Sequence, residues 1–144
     1  MEDFTTFVCY QLKATMNKVE RYIGQELNRY GVNLAQSFVL FSLLENNGAT
    51  LSEIGVRAQI ENSSLTTMVD KLEKEDLVER RLYPQDRRVV RLFLTDKGRE
   101  TAHKILSQGK FFNNYLIENM SSESADFLKS LEEVSGSIDT LQCS

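Results

Sequence analysis

The chain has 144 residues, of which 41% are hydrophobic and 26% charged, with seven Gly and one Pro. That balance predicts a soluble globular protein with one ordinary core and leaves no room for linkers or low-complexity segments. The net charge of −4 argues, taken whole, against a polyanionic partner. The longest apolar stretch, Phe38 to Leu44, is interrupted by Ser42 and falls far short of the roughly 20 residues of a membrane span.

The start, Met1-Glu2-Asp3-Phe4, is acidic and does not read as a secretory signal. Two cysteines, Cys9 and Cys143, make no disulfide framework. The expectation is a cytoplasmic protein with reduced thiols.

Phe4, Val8, Leu12, Met16, Val19, Ile23, Leu27 and Tyr30 are spaced by three or four residues. This predicts one long amphipathic helix with a narrow apolar seam, ended by Gly31. Asn33, with Gln36 three residues on, reads as a capping box for a second helix from Leu34 to about Asn46. That helix is apolar nearly all round through Phe38, Val39, Leu40, Phe41, Leu43 and Leu44, which places it in the centre of the core.

Asn46-Asn47-Gly48 is a break. Thr50 and Glu53 form a second capping box, opening a short helix to about Gln59. Asn62 or a neighbour caps the next helix, with Leu65, Met68, Val69 and Leu72 as its buried stripe. Its opposite face shows Ser63, Thr67, Asp70 and Lys74, flanked by Ser64, Thr66 and Lys71.

The period then changes to that of strands. Leu77 to Tyr83 and Val89 to Leu94, separated by Pro84-Gln85-Asp86-Arg87-Arg88, predict a hairpin. Thr95 caps a second long helix, whose apolar positions include Ala102, Ile105, Leu106, Gly109, Phe112, Leu116 and Met120. Ser121 or Ser122 opens the last helix, with a seam at Phe127, Leu131, Val134, Ile138 and Leu141.

This order predicts a mainly α fold with a small β-hairpin wing (α+β), a winged helix–turn–helix whose long terminal helices form a dimerisation region. The expected division is one domain over 1–144. Within it, 1–31 and 109–144 form the helical dimerisation region, 32–98 the winged lobe, and 99–108 the connecting part of a long helix. Phe4, Val8 and Leu12, with Phe127, Leu131, Val134, Ile138 and Leu141, are the expected dimer contacts. The alternative is that these seams serve only a monomer core.

Charge is distributed unevenly. Residues 77–91 carry five arginines against Glu79 and Asp86, a net +3, whereas residues 118–144 carry six acids against Lys129, a net −5. Such asymmetry fits a molecule with one face for a polyanion. Small hydroxyl residues suit a helix that enters a major groove, since they bond base edges or phosphates and keep the backbone close. Ser63, Ser64, Thr66 and Thr67 are the candidate readers, with Lys71 and Lys74 as phosphate contacts. Taken alone, the same residues also describe a helix start exposed to solvent. Arg87 and Arg88 near a hairpin tip suit a minor groove. Asp86 is a partner that fixes an arginine before binding.

Asp86-Arg87-Arg88 followed by a strand and Leu94-Thr95-Asp96-Lys97-Gly98 resembles the wing signature of the MarR family of bacterial regulators, Asp-x-Arg and then Leu-Thr-x-x-Gly. Leu65 to Glu73 with Leu77-Val78-Glu79-Arg80 resembles its recognition helix and first wing strand, and Leu51 to Gly55 its preceding short helix. The resemblance implies homodimers on pseudo-palindromic operators, repression of transcription, and release by small ligands or oxidants. Two positions depart from the pattern. Thr67 stands where many members carry Arg, and Asp76 stands where Gly usually ends the recognition helix.

Cys9 resembles in position the reactive cysteine of the family's organic-hydroperoxide-sensing branch. The assisting tyrosines are not clearly matched: Lys13 occupies one place, and Tyr22 and Tyr30 lie nearby. The bland reading of Cys9 is a small buried hydrophobe. A small aromatic ligand or an organic hydroperoxide is therefore the expected effector, the ligand lying between the helical base and the winged lobe. The single histidine, His103, assembles no metal site. A Gly-rich phosphate loop, a nucleophile elbow and a metal motif are all missing from the sequence, so neither a cofactor nor an enzyme is expected. The rival to a DNA-binding regulator is a helical interaction protein that has lost DNA binding.

Overall fold

The computed structural model describes residues 3–121 and 123–143. By internal contacts it divides into two compact units, Met1–Leu106 and Ser107–Ser144.

The first unit opens with a 3-10 turn over Phe4–Thr6 and then α1, Val8–Leu27. The single helix expected from Phe4 to Tyr30 is thus interrupted at both ends. Asp3 accepts hydrogen bonds from the Thr5 backbone N–H at 3.0 Å and the Thr5 hydroxyl at 2.7 Å, and Phe7 is extended. Such local bonds offer the backbone an alternative to helix, which outweighs the apolar period. At the other end Asn28–Tyr30 tightens into a 3-10 turn, and Gly31 ends it at φ +71°, the left-handed position that favours glycine.

Helix α2, Leu34–Glu45, starts with the expected capping box. Asn33 Oδ1 accepts from the Gln36 N–H, and the Asn33 N–H donates to Gln36 Oε1, both at 2.9 Å. Val39, Leu40 and Leu43 are fully buried, and this helix is the centre of the core as its composition predicts. Phe38 departs from that expectation, being 42% exposed.

Helix α3, Leu51–Ala58, is capped by Thr50, whose hydroxyl oxygen accepts from the Glu53 N–H at 3.2 Å. Only half of the expected reciprocal box forms. The Glu53 carboxylate instead accepts from the Thr50 hydroxyl and from Asn46 Nδ2, each at 3.1 Å. Gln59 ends the helix in the left-handed conformation.

Helix α4, Asn62–Lys74, begins one residue earlier than a cap at Asn62 would allow. Glu61 is the extended N-cap residue and makes no side-chain capping bond. Leu65, Val69 and Leu72 are buried, with Met68 partly so. Asp76 follows at φ +59° and takes the left-handed position in place of glycine, which Asp tolerates better than most residues.

Strands β1, Val78–Tyr83, and β2, Asp86–Leu94, form an antiparallel pair. The turn is shorter than the sequence suggests, only Pro84-Gln85, so Asp86, Arg87 and Arg88 belong to β2. The ladder shifts register beside the turn: Tyr83 faces Asp86, yet Leu82 faces Val90. The intervening Arg87, Arg88 and Val89 form a bulge, a device that re-aims side chains. A short bridge that the sequence did not suggest ties the hairpin to the lobe. The Gly48 N–H donates to the Leu92 carbonyl at 2.8 Å, the Leu92 N–H to Ala49 at 2.9 Å, and Thr50 bridges Arg91.

Helix α5 spans Asp96–Glu118, so Met120 lies past its end. Thr95 caps it as expected, accepting from the Gly98 N–H at 2.9 Å while its hydroxyl donates to the Asp76 carbonyl at 2.6 Å. Ala102 and Ile105 join the core built from α2, α3, α4 and β2. Helices α3 and α4 with the β1–β2 hairpin make a winged helix–turn–helix.

The second unit comprises the end of α5 and helix α6, Ser124–Cys143. Its start lies beyond Ser121; Ser122, the other expected opening residue, is outside the described residues. Among the described residues of α6 none is buried.

Candidate nucleic-acid interface

The helix–turn–helix presents the predicted face of α4 outward. Ser63, Ser64, Thr67, Lys71 and Lys74 are all exposed. Thr66 is exposed too, but its hydroxyl donates back to the Asn62 carbonyl at 3.1 Å. Its methyl group is therefore the part not engaged within the helix. Ser63, Ser64, Thr67 and Lys71 line one shallow groove together with Met68.

The wing tip is built around one ion pair. Arg88 Nε donates to Asp86 Oδ1 at 3.1 Å and Nη2 to Oδ2 at 3.3 Å, while the Arg88 backbone N–H reaches Oδ1 at 3.0 Å. The Arg88 side chain and then its backbone N–H hold the Asp86 carboxyl below its ordinary range, against a smaller opposing effect of burial. The Arg88 side chain is nonetheless 91% exposed. The pairing fixes its direction without taking it out of solvent. A cleft of about 430 Å³ brings Arg88, Val89 and Val90 of the wing together with Thr66 and Asn62 of α4 and with Thr50 at the start of α3. Two of the motifs read separately from sequence, the hydroxyl-rich helix and the arginine wing, thus border one concavity.

The net +3 of residues 77–91 is not all available to a ligand. Arg81 pairs with Glu79 and lies over the Phe93 ring at 4.1 Å. Arg91 donates to the Gly48 carbonyl at 3.0 Å and stands over Tyr83 at 4.7 Å. Arg80 bonds Asp70 at 2.6 Å and also bonds Glu73. Burial works against the Arg80 charge, but the two carboxylates raise its pKa regardless. Of the five arginines, Arg87 and Arg88 stand at the outer end of the hairpin. The sequence counted the charge correctly, but only tertiary packing shows where it is spent. Opposite charges at Asp70 and Glu73, just upstream of an arginine-rich strand, were the available signal for the Arg80 cluster. A second pair missed from sequence joins α2 to α3, with Arg57 donating to both oxygens of Glu45 at 2.8 and 2.9 Å.

The expected dimer contacts are apolar residues turned toward solvent in the chain by itself. Phe4 is 57%, Val8 61% and Leu12 38% exposed. On α6, Phe127, Ile138 and Leu141 are exposed, with Leu131 and Val134 partly so. Cys9 sits in the first turn of α1 and is exposed, contrary to the reading of a buried hydrophobe; Cys143 is exposed as well. Among the described residues no cluster of three or more His, Cys, Asp or Glu is placed to hold a metal ion. Nor is any described helix long and apolar enough to cross a membrane.

Comparison with known proteins agrees with this geometry. Residues 32–90 match the model of the MarR family. The HTH-type transcriptional repressor MdtR of Bacillus subtilis (strain 168) is 35% identical over 69% of this chain, which spans 64% of that relative's length. The uncharacterized HTH-type transcriptional regulator YsmB of the same organism is 32% identical, covering 75% of each chain. Among solved structures, the transcriptional repressor CouR, bound to a 23-mer DNA duplex, shares 26% identity at a TM-score of 0.77. That match covers 96% of this chain and 99% of CouR. The winged lobe, its hydroxyl-rich helix and its Asp-x-Arg wing, together with these relatives, place the chain in the MarR family of transcriptional regulators.

Proposed function

We propose that the chain is a homodimeric, sequence-specific repressor that binds a pseudo-palindromic operator. In each subunit α4 enters the major groove, and Arg88 enters the adjacent minor groove. Ser63, Ser64, Thr66 and Thr67 read bases, Lys71 and Lys74 hold phosphates, and Arg87 supports Arg88. The observation that carries this reading is the shared cleft, in which an exposed arginine, oriented by Asp86, lies across from the start of a hydroxyl-rich helix. The repressor MdtR and the DNA-bound repressor CouR support it by likeness.

Selection of duplexes from a randomised pool by the full-length protein tests the reading directly. The expected product is an inverted repeat with half-sites about 10 base pairs apart, centre to centre. Thr67→Ala should relax preference at one position of each half-site, whereas Lys71→Ala should weaken all duplexes alike and flatten the salt dependence. Failure to enrich any sequence would leave the helical interaction protein as the better reading.

Release by a small ligand or an oxidant completes the proposal. The exposure of Cys9 supports the oxidant arm. Organic hydroperoxide should then free DNA from the wild type and not from Cys9→Ser. An identical response of the two proteins would assign release to a small aromatic ligand instead.

A further inference from the structure

One stripe of α4 is occupied by the wing. Arg80 on β1 donates from Nη2 to Asp70 at 2.6 Å and to the Thr66 carbonyl at 3.4 Å, and from Nη1 to Glu73. Its backbone N–H also reaches the Glu73 carboxylate at 3.4 Å. Thr66, Asp70 and Glu73 are spaced four and three apart, so they form one line along the helix. At ~100° per residue, Asp70 is turned by only about 20° from Ser63 and about 40° from Lys74. Two carboxylates therefore border the face that would approach DNA. The Arg80 side chain is 27% exposed, against 91% for Arg88, so it is poorly placed to be a DNA contact itself.

We infer that Arg80 is a charge mask: it neutralises Asp70 and Glu73 so that α4 can lie against a phosphate backbone. The inference rests on the proposed DNA binding and adds a role that no base or phosphate contact accounts for. The screening length is about 10 Å at 0.1 M salt, so an unmasked carboxylate on α4 would repel nearby phosphates at moderate ionic strength. A purely mechanical clamp of β1 on α4 would use the same contacts but would not depend on charge.

The two roles separate by experiment, using a duplex that the full-length wild type has enriched from a randomised pool. Arg80→Ala should lose about ten- to fiftyfold in affinity at about 50 mM salt, and the loss should shrink about fourfold by about 200 mM. Adding Asp70→Asn and Glu73→Gln to Arg80→Ala should recover binding to within about threefold of wild type. With Arg80 kept, Asp70→Asn/Glu73→Gln should bind several-fold more tightly than wild type; a clamp predicts weaker binding. This pair of substitutions, one at exposed Asp70 and one at half-buried Glu73, decides the matter even if Arg80→Ala does not fold. Unchanged affinity of Arg80→Ala, a triple variant as weak as Arg80→Ala, or weaker binding by the double variant at unchanged melting temperature would each overturn the mask. A wild type that enriches no duplex would overturn the DNA-binding reading itself, which these variant outcomes do not touch.

Discussion

Helices α2 and α6 are both rich in apolar residues, yet they end in opposite environments. Val39, Leu40 and Leu43 of α2 are fully buried. Among the described residues of α6 none is buried, and Leu128, Ile138 and Leu141 are more than half exposed. The difference lies in arrangement. Apolar residues nearly all round α2 require neighbours on every side, which the winged lobe supplies from one chain. In α6 Phe127, Leu131, Val134, Ile138 and Leu141 follow one seam with Leu128 beside it, the pattern of a helix that pairs with another helix. An exposed seam of this size on an isolated chain marks an interaction surface. The lobe thus buries its apolar helix within one chain, whereas the proposed dimer would cover the seam of α6.

The largest effect should come from the closed side of this comparison. A Cβ on Gly98 would stand 1.8 Å from the Leu77 carbonyl oxygen, where the start of α5 crosses the start of the wing. Backbone, not a flexible side chain, would have to move. Gly98→Ala should cost about 3 kcal/mol or more and lower the melting temperature by roughly 6–12 °C. Thermal unfolding followed by circular dichroism measures it. A melting temperature within a degree of wild type would mean the lobe is looser there than its packing indicates.

The open side is tested by removing it. A chain ending at residue 120 should keep the folded lobe but lose self-association and operator binding together. Sedimentation and a mobility shift on the same preparations give both readings. A full-length protein that sediments as a stable folded monomer at micromolar concentration would refute the dimer. It would favour the alternative in which the seam serves only a monomer core.

Within the lobe, the comparison sharpens to a single side chain that projects from it. Arg88→Ala deletes a group that is 91% exposed and should leave the melting temperature unchanged. In a dimer the contact is lost twice, so operator affinity should fall about tenfold to several hundredfold. Normal affinity would sink the wing assignment. Lost affinity together with lost stability would make the arginine structural.

Local rules made much of this legible before any coordinates. The Asn33–Gln36 box, the Gly31 stop, Asp76 in a glycine position and the Thr95 cap each rest on residues close in sequence, and each appears as read. Errors arose where one local force competed with another. The bonds of Asp3 to Thr5 broke a helix that the apolar period alone would continue. The tip region Asp86–Arg88 lay in a bulged strand and not in a turn, because a shift in strand pairing is set across the hairpin and not along it. Arg80, Arg81 and Arg91 were legible as charge but not as partners, since Glu73, Phe93 and Gly48 meet them only through tertiary packing. The exposure of the candidate residues was therefore readable, and the allocation of charge among the arginines was not.

The smallest effect concerns the pairing that aims Arg88, and it can be isolated by pH. The Asp86 carboxyl is held below its ordinary value of 3.8 by hydrogen bonds from the Arg88 side chain and backbone. These donors favour the carboxylate, so the folded protein binds this proton less readily than the unfolded chain. The contribution is fully present above the ordinary value and is lost as pH falls through the lower, folded one. Between about pH 6 and about pH 8 the wing should therefore be insensitive to pH. Below 3.8 protonation should release the arginine. The Arg88 Nε–H resonance, followed by NMR from about pH 7 to about pH 2.5, should shift with a midpoint below 3.8 in the wild type and show no such titration in Asp86→Asn. At neutral pH Asp86→Ala should weaken operator binding by only about two- to threefold, less than Arg88→Ala, because it frees the arginine without deleting it. A resonance that does not titrate in the wild type would mean the pair is not formed in solution. An affinity loss for Asp86→Ala equal to that of Arg88→Ala would mean that direction, and not charge alone, makes the contact.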